Sequence, residues 1–249
     1  IRVETPSDLG GWSYEVADTK LTRNTRAGTV LQLCLYSDML AKLQGVEPKY
    51  MAVVKPGDPV LSNAFTLAPV PGAIAAVGAK PVLVGVTEAL TIDLDDLEAK
   101  LNEAKVLLLS HMRGHICDMD RLMAMCDAAG VRVIEDCAHT MGAAWKGTPS
   151  GRHGAVGCYS CQTYKHVNSG EGGFLVTDDA DIAARSIILS GSYMLYERHL
   201  AAPPPEAFAQ IRYETPNISG RMDNLRAAIL RPQIAALATQ CARWNDRYK

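Results

Sequence analysis

An α/β fold with a mostly parallel central sheet and helices on both faces is what this 249-residue sequence predicts. Three observations carry that expectation. Short runs such as VLLLSH (Val106 to His111) are almost wholly apolar, the composition of strands covered on both faces. Between them lie segments with leucines at helical spacing, as in DLDDLEAKLNEA, where Leu94, Leu97 and Leu101 share one side. The two kinds alternate from Pro59 onward, which brings parallel strands together through right-handed crossovers.

Taken in order, PVLVGV (Pro81 to Val86) reads as a strand buried on both faces. The helix after it opens on acidic residues, which suit the positive end of the helix dipole. VLLLSH is the next strand, and DMDRLMAMCDAAG is a helix stopped by Gly130. VRVIED then closes on Asp136. A strand through GCYSC, a lysine-bearing loop and a strand GGFLVT (Gly172 to Thr177) follow. Helices are expected over Asp179 to Leu189 and Met222 to Leu237, the second with Leu225, Ala228, Ile229 and Ile234 as its apolar stripe. YERHLAAPPPEAF, broken by Pro203, Pro204 and Pro205, reads as an excursion or a lid loop.

Composition narrows the function classes. Hydrophobic residues make up 48% of the chain, enough for a large core. A net charge of -2 gives no basic face for nucleic acid. No run of about 18 apolar residues calls for a membrane, and IRVETPSDLGG is no secretory leader; a cytoplasmic protein is expected. The seven cysteines are odd in number and scattered in apolar segments, the pattern of reduced core thiols. Cys158 and Cys161 have C-x-x-C spacing, but no second pair follows at zinc-ribbon distance.

In open parallel sheets the ligand lies beyond the carboxyl ends of the strands. That rule places His111 and Asp136, each ending its strand, at the mouth of a site. The stretch SCQTYKHVNSGEGG then sets Lys165 between the hydroxyls of Ser160 and Thr163 and a glycine-rich turn. A lysine amine held in a crowded pocket can attack a carbonyl, whereas one on an open turn is only a solvated charge.

VIEDCAHTMGAAWKG, GCYSCQTYK and GEGGFLVTDD, in this order and spacing, resemble the DegT/DnrJ/EryC1/StrS sugar aminotransferases, whose usual pattern runs EDAAQAHGA, CFSFYPTKN and GEGG. GDPVLSNAFTLAPVPGAIAAVGAKPVLVGV and GRMDNLRAAILRPQI extend the resemblance over residues 55 to 237. It implies pyridoxal 5'-phosphate as cofactor, the large domain of fold type I, and a Schiff base on Lys165, which later shuttles a proton. It also implies that Asp136 pairs with the pyridinium nitrogen, that Ser160 donates to the cofactor phosphate, and that His139 stands for a glutamine contacting the ring hydroxyl. Thr66 and Leu67 fall on the family's FT and ring-stacking positions. The implied partners are a small-molecule amino donor, glutamate or a similar one, and a keto-sugar that is commonly nucleotide-linked. Active sites shared between two subunits imply a homodimer. A dehydratase branch replaces the lysine by histidine, and Lys165 argues against it.

Some features depart from the family pattern. KYMAVV (Lys49 to Val54) runs straight into KPGD, where relatives carry a serine-glycine-threonine turn that binds phosphate; the expectation is that about twenty residues are missing there. The domain reading is an N-terminal segment over 1–54, a cofactor-binding large domain over 55–221, and the start of a C-terminal helix and small domain, otherwise largely absent, over 222–249. HMRGH replaces the family's HLYG, so Arg113 and His111 are candidate substrate contacts. Two other readings stand beside the aminotransferase: an inactive relative that binds a cofactor or a partner, and a metal hydrolase using His111, His115, Cys117, Cys137 or His139. The motifs favour the aminotransferase, and no metal is expected.

Overall fold

The computed structural model describes residues 2–3, 5–10, 13–14, 16–19, 39, 41–46, 51–54, 57–191, 196–209 and 211–249. Two compact units are present, one of residues 1–58 and 72–80, the other of 59–71 and 81–249. In the first, β1 (Arg2–Val3) pairs antiparallel with β2 (Ser13–Tyr14), and β3 (Val16–Thr19) pairs parallel with β4 (Met51–Val54). β4 is the end of KYMAVV. Lys55 and Pro56, at the junction where a phosphate turn is expected, lie outside the described residues.

The second unit is built on a six-stranded sheet. Along the chain run β5 (Pro59–Asn63), α1 (Pro69–Ala76, of which residues 72–76 fall in the first unit), β6 (Lys80–Val84, in the second unit from residue 81), α2 (Leu94–Lys100), β7 (Val106–Ser110), α3 (Met119–Ala129) and β8 (Arg132–Asp136). A short hairpin of β9 (Ala144–Trp145) and β10 (Thr148–Pro149) follows, then β11 (Val156–Ser160), β12 (Gly173–Val176), α4 (Ala180–Ser190) and α5 (Asn224–Tyr248). The strands lie in the order β12-β11-β8-β7-β5-β6. β5/β7, β7/β8 and β8/β11 are parallel; β11/β12 is antiparallel.

Local chemistry sets the helix ends. Asp93 caps α2, its Oδ1 accepting from the backbone N–H of Asp95 and Asp96; Asp118 and Asp179 cap α3 and α4 in the same way. Gly130 stops α3 at φ 66, left-handed backbone that costs a residue with a Cβ. Leu97 of α2 and Leu122 of α3 are fully buried against Leu61, Leu107, Leu109 and Val133 of the sheet. Each such leucine contributes about 1.5–3 kcal/mol, which holds the crossovers against that face. The opposite face, which carries Leu108, Ile134 and Cys158, is only half-buried.

Three expectations change. PVLVGV is not covered on both faces: β6 ends the sheet, and Leu83 is 54% exposed. An apolar run alone does not tell an edge strand from a central one. The proline-rich segment is narrowed to an excursion anchored at both ends, Tyr196 and Phe208 being buried and stacked, ring centroids 4.8 Å apart, in a cluster with Ala184, Ile187 and Ile188 of α4. The helix expected to end at Leu237 continues to Tyr248, and its expected stripe is largely exposed, Leu225 at 73%, Ile229 at 45% and Ile234 at 48%. The face that packs inward instead carries Leu230 and Leu237. Among the described residues no helix is long and apolar enough to cross a membrane.

Candidate active site

The parallel register of β7 and β8 sets Ser110 opposite Asp136, at the carboxyl ends of both strands. Ser110 Oγ donates to Asp136 Oδ2 at 3.0 Å, and Thr66 Oγ1 donates to Ser110 Oγ at 2.8 Å. Asn63, ending β5, brackets the backbone of Ser110: its Oδ1 accepts from Ser110 N at 2.8 Å, and its Nδ2 donates to Ser110 O at 3.0 Å. On the other side of the carboxylate, Ala138 N donates to Asp136 Oδ1 at 3.1 Å. Asp136 is therefore aimed by two donors while accepting capacity remains on both oxygens. Strand alternation puts Ser160 on the same sheet face as Cys158, the register partner of Asp136. Ser160 Oγ accepts from Gln162 N at 3.3 Å, so the hydroxyl keeps its own hydrogen for another acceptor.

Lys165 sits on a tight turn closed by its own N–H to Gln162 O at 2.9 Å. The glycine-rich stretch returns the chain alongside: Thr163 N donates to Gly170 O at 3.0 Å and Cys161 N to Gly172 O at 2.8 Å. Gly172 has φ 131, and a Cβ there would meet Met222 Cε at 2.9 Å. Glycine at 172 is what that left-handed backbone and close approach require, and it lets the chain return beside the lysine turn.

Arg113, Ala138, His139, Tyr164, Lys165 and His166 line one open cleft. Arg113 has φ 58 and is followed by Gly114 at φ 86, a turn that points its backbone N–H at His139 Nδ1, 3.1 Å away. A ring nitrogen that accepts carries no hydrogen, which leaves the proton of neutral His139 on Nε2. Burial holds the imidazole below its ordinary value, helped by the charges of Lys165 and Arg113 and opposed by Asp136. His139 is thus neutral down through pH 6.5, the ordinary value, and becomes charged only below it. An NMR titration of its ring protons should show a midpoint under 6.5, and Lys165→Met should raise that midpoint by removing a cation. A His139 midpoint at or above 6.5 contradicts this arrangement.

The structure thus gathers Lys165, His139 and Arg113 at the cleft; Asp136, Thr66 and Ser160 are not among its lining residues, and Asp136, tied to Thr66 through Ser110, is joined to the cleft by its bond from Ala138 N. Leu67 is exposed at 46%, one position beyond Thr66. His111 requires a correction. It is 2% exposed and turned away from the cleft, its Nε2 3.0 Å from Glu135 Oε2. The side chain after Ser110 goes to the other face of the sheet, where Glu135 lies. Glu135 also accepts from Gly151 N at 2.8 Å, His153 N at 2.8 Å and Gly154 N at 2.7 Å. Burial pushes its carboxyl up, but the bonds from His111, Gly154 and Gly151 outweigh that and hold it below the usual range.

The metal-ligand candidates are dispersed. His115 is exposed, Cys117 packs on Met119 and His139 faces the cleft. Only His111 and Cys137 come together, with Glu135, their donor atoms within 4.8 Å of one another. Both Glu135 oxygens are already taken by N–H donors, and burial pushes the Cys137 thiol up to about 12, so it keeps its proton. Ser110 and Asn63, which aim the key carboxylate, were not singled out in the sequence. Their signal was there: each is a short polar residue at the carboxyl end of an apolar strand.

A sequence profile of the DegT/DnrJ/EryC1/StrS aminotransferase family matches residues 45–249. The chain belongs to that family. Members of the DegT/DnrJ/EryC1/StrS family are pyridoxal phosphate enzymes. The L-glutamine:scyllo-inosose aminotransferase of Streptomyces griseus is 34% identical over 196 residues, 75% of this chain and 44% of that protein. The UDP-N-acetyl-3-dehydro-alpha-D-glucosamine 3-aminotransferase of Acidithiobacillus ferrooxidans is 31% identical over 198 residues, 78% of this chain and 48% of that protein. Among solved structures, DesV of S. venezuelae in complex with a ketimine intermediate superposes with a TM-score of 0.63 at 30% identity, covering 75% of this chain and 47% of that one. The second unit is accordingly a fold type I sheet, mixed and mostly parallel. The chain spans about half the length of the curated relatives it matches.

Proposed function

We propose that this DegT/DnrJ/EryC1/StrS protein transfers an amino group from glutamate or a similar donor to a keto-sugar, with Lys165 as its covalent and proton-carrying residue. One observation carries the reading: an amine on a rigid turn and the segment leaving a strand-end carboxylate line the same cleft. The residues fit pyridoxal phosphate in their chemistry. Lys165 Nζ would hold its aldehyde carbon, Asp136 its ring nitrogen and Ser160 its phosphate, with Leu67 packing on the ring and His139 Nε2–H donating to the ring hydroxyl. When bound, the cofactor supplies the electron sink for the substrate's amine-bearing carbon.

The chain's own residues do the rest. Asp136, fixed by Ser110 and Ala138, presents negative charge where a ring nitrogen must stay protonated. Thr66 orients Ser110 in turn. Neutral His139 donates without adding a positive charge beside Lys165. Lys165 Nζ, as a neutral amine, takes a proton from the substrate's amine-bearing carbon, holds it as an ammonium and gives it back later in the reaction, which a flexible stem on a fixed turn is able to do. Arg113, exposed at the rim, suits an anionic substrate group such as a nucleotide's phosphates. The UDP-linked substrate in the name of the A. ferrooxidans relative supports a nucleotide-linked keto-sugar, and the S. griseus name supports an amide-bearing donor as the alternative to glutamate. A cytoplasmic homodimer is part of the same proposal.

The test is reductive trapping. Incubation with pyridoxal phosphate should give an absorbance band near 410 to 430 nm, on the order expected of a lysine-bound cofactor. Borohydride followed by peptide mapping should place the label on Lys165. Label confined to other lysines overturns the proposal.

A further inference from the structure

Three consecutive residues after Lys165 each engage the long helix α5. The His166 ring lies 4.7 Å from that of Trp244, and its Nδ1 is 2.9 Å from Met141 O. Val167 is 1% exposed, in a cluster with Leu230. Asn168 is gripped by Gln233: its N–H donates to Gln233 Oε1 at 3.0 Å, and its carbonyl accepts from Gln233 Nε2 at 2.8 Å. One side-chain amide thus makes both bonds that a neighbouring strand would make. Gln233 is itself fixed, since Nε2 also donates to Ile229 O at 2.9 Å. Asn168 passes the constraint back, its Nδ2 donating to Lys165 O at 3.1 Å.

We infer that Gln233 is a positioning residue for Lys165, acting through Asn168, an inference that rests on the aminotransferase reading of the cleft. The turn bearing the lysine has no regular secondary structure, and its backbone is held on one side by the Cys161–Gly172 return. The Gln233 amide supplies the opposite anchor. A misplacement of about 1 Å is enough to cost on the order of 100-fold in a positioned reaction, so two hydrogen bonds at this point control whether Nζ reaches an aldehyde. Pro232 immediately before it leaves one backbone acceptor of α5 without its usual partner, an expense tolerated in the turn of helix that presents Gln233.

Two measurements on the full-length protein test this. In the first, backbone hydrogen exchange of the unaltered protein without cofactor should show Asn168 N–H strongly protected; exchange at the rate of a free peptide overturns the inference, whatever any variant does. In the second, Gln233→Met keeps the volume and removes the amide. The protein is incubated with sub-saturating pyridoxal phosphate and borohydride. Nζ adds to the aldehyde, water leaves, and the imine takes hydride from borohydride and a proton from water to give a stable secondary amine. The readout is the ratio of label on Lys165 to label on Lys146, whose side chain is 70% exposed, because a change in concentration acts on both; each sample is labelled where circular dichroism shows it fully folded. Gln233→Met should lower that ratio by about tenfold. An unchanged ratio overturns the inference alone. Absence of label on Lys165 in the unaltered protein overturns the underlying reading and this one with it.

Discussion

Glu135→Leu should destabilise the protein by about 3–5 kcal/mol, the cost of leaving buried polar partners unpaired, and so lower Tm by roughly 6–20 °C. The glutamate is fully buried and accepts four hydrogen bonds, one from His111 and three from the backbone of the 151–154 turn. Leucine matches its bulk but offers no acceptor, so three backbone N–H groups and an imidazole lose their partners at once. Removing His111 as well does not repair this. Replacing both members of a buried pair is often nearly neutral, but here the three N–H groups of Gly151, His153 and Gly154 remain, and His111→Leu/Glu135→Leu should stay well below the unaltered protein. The pH dependence has a definite sign. Glu135 is held below its ordinary carboxyl value of 4.5, so its contribution is fully present above pH 4.5 and fades as pH falls through the lower folded value. Urea unfolding at neutral pH checks the magnitude; a Glu135→Leu variant within about 1 kcal/mol of the unaltered protein would sink this account of the turn.

Glu135 also shows where reading residues in order stops. Its neighbour Asp136 was legible, because a carboxylate closing a buried parallel strand lies where such sheets bind ligands, and the surrounding motif named its role. Glu135 and His111 lie in the same two strand ends and were not separable from Asp136 by type. What separates them is which face each side chain takes: alternation along each strand sets Glu135 and His111 on the face opposite to Asp136 and Ser110, but which face is covered is decided by the packing of other elements. The helix α5 failed for a related reason. Leu225, Ala228, Ile229 and Ile234 form a plausible stripe, but Leu230 and Leu237 form another, and only the packing of Val167 and Met141 selects the second. Gln233 was out of reach for its own reason: its partner Asn168 is 65 positions away. Caps, by contrast, are local chemistry, and Asp93, Asp118 and Asp179 sit where the sequence puts helix starts. So the element order and the placing of Lys165 and His139 at one cleft could be read directly, while the side chains that fix the neighbouring carboxylate could not.

Lys165→Arg should abolish amino transfer as completely as Lys165→Ala, and that equality is the informative part. Arginine keeps the positive charge that lowers the His139 value and keeps the length of the side chain. Its guanidinium does not give up a proton at working pH, so it is neither a nucleophile toward an aldehyde nor a base toward carbon. If Lys165 served only to balance Asp136 or a phosphate, arginine would serve almost as well. Loss of general acid–base action alone costs about 10²–10⁴-fold, and the covalent attachment is lost with it, so single-turnover rates with glutamate and saturating cofactor should fall at least about 10³-fold for both variants. The two then diverge under rescue. Added methylamine fits the space that Lys165→Ala opens and should restore part of its rate, whereas the arginine side chain fills that space and blocks it. The exposed Lys146→Arg serves as the comparison, with transfer at the unaltered rate. Transfer by Lys165→Arg within about tenfold of the unaltered protein, a difference of only some 1.4 kcal/mol in barrier, would leave the cleft with charge as its function and the amine with none.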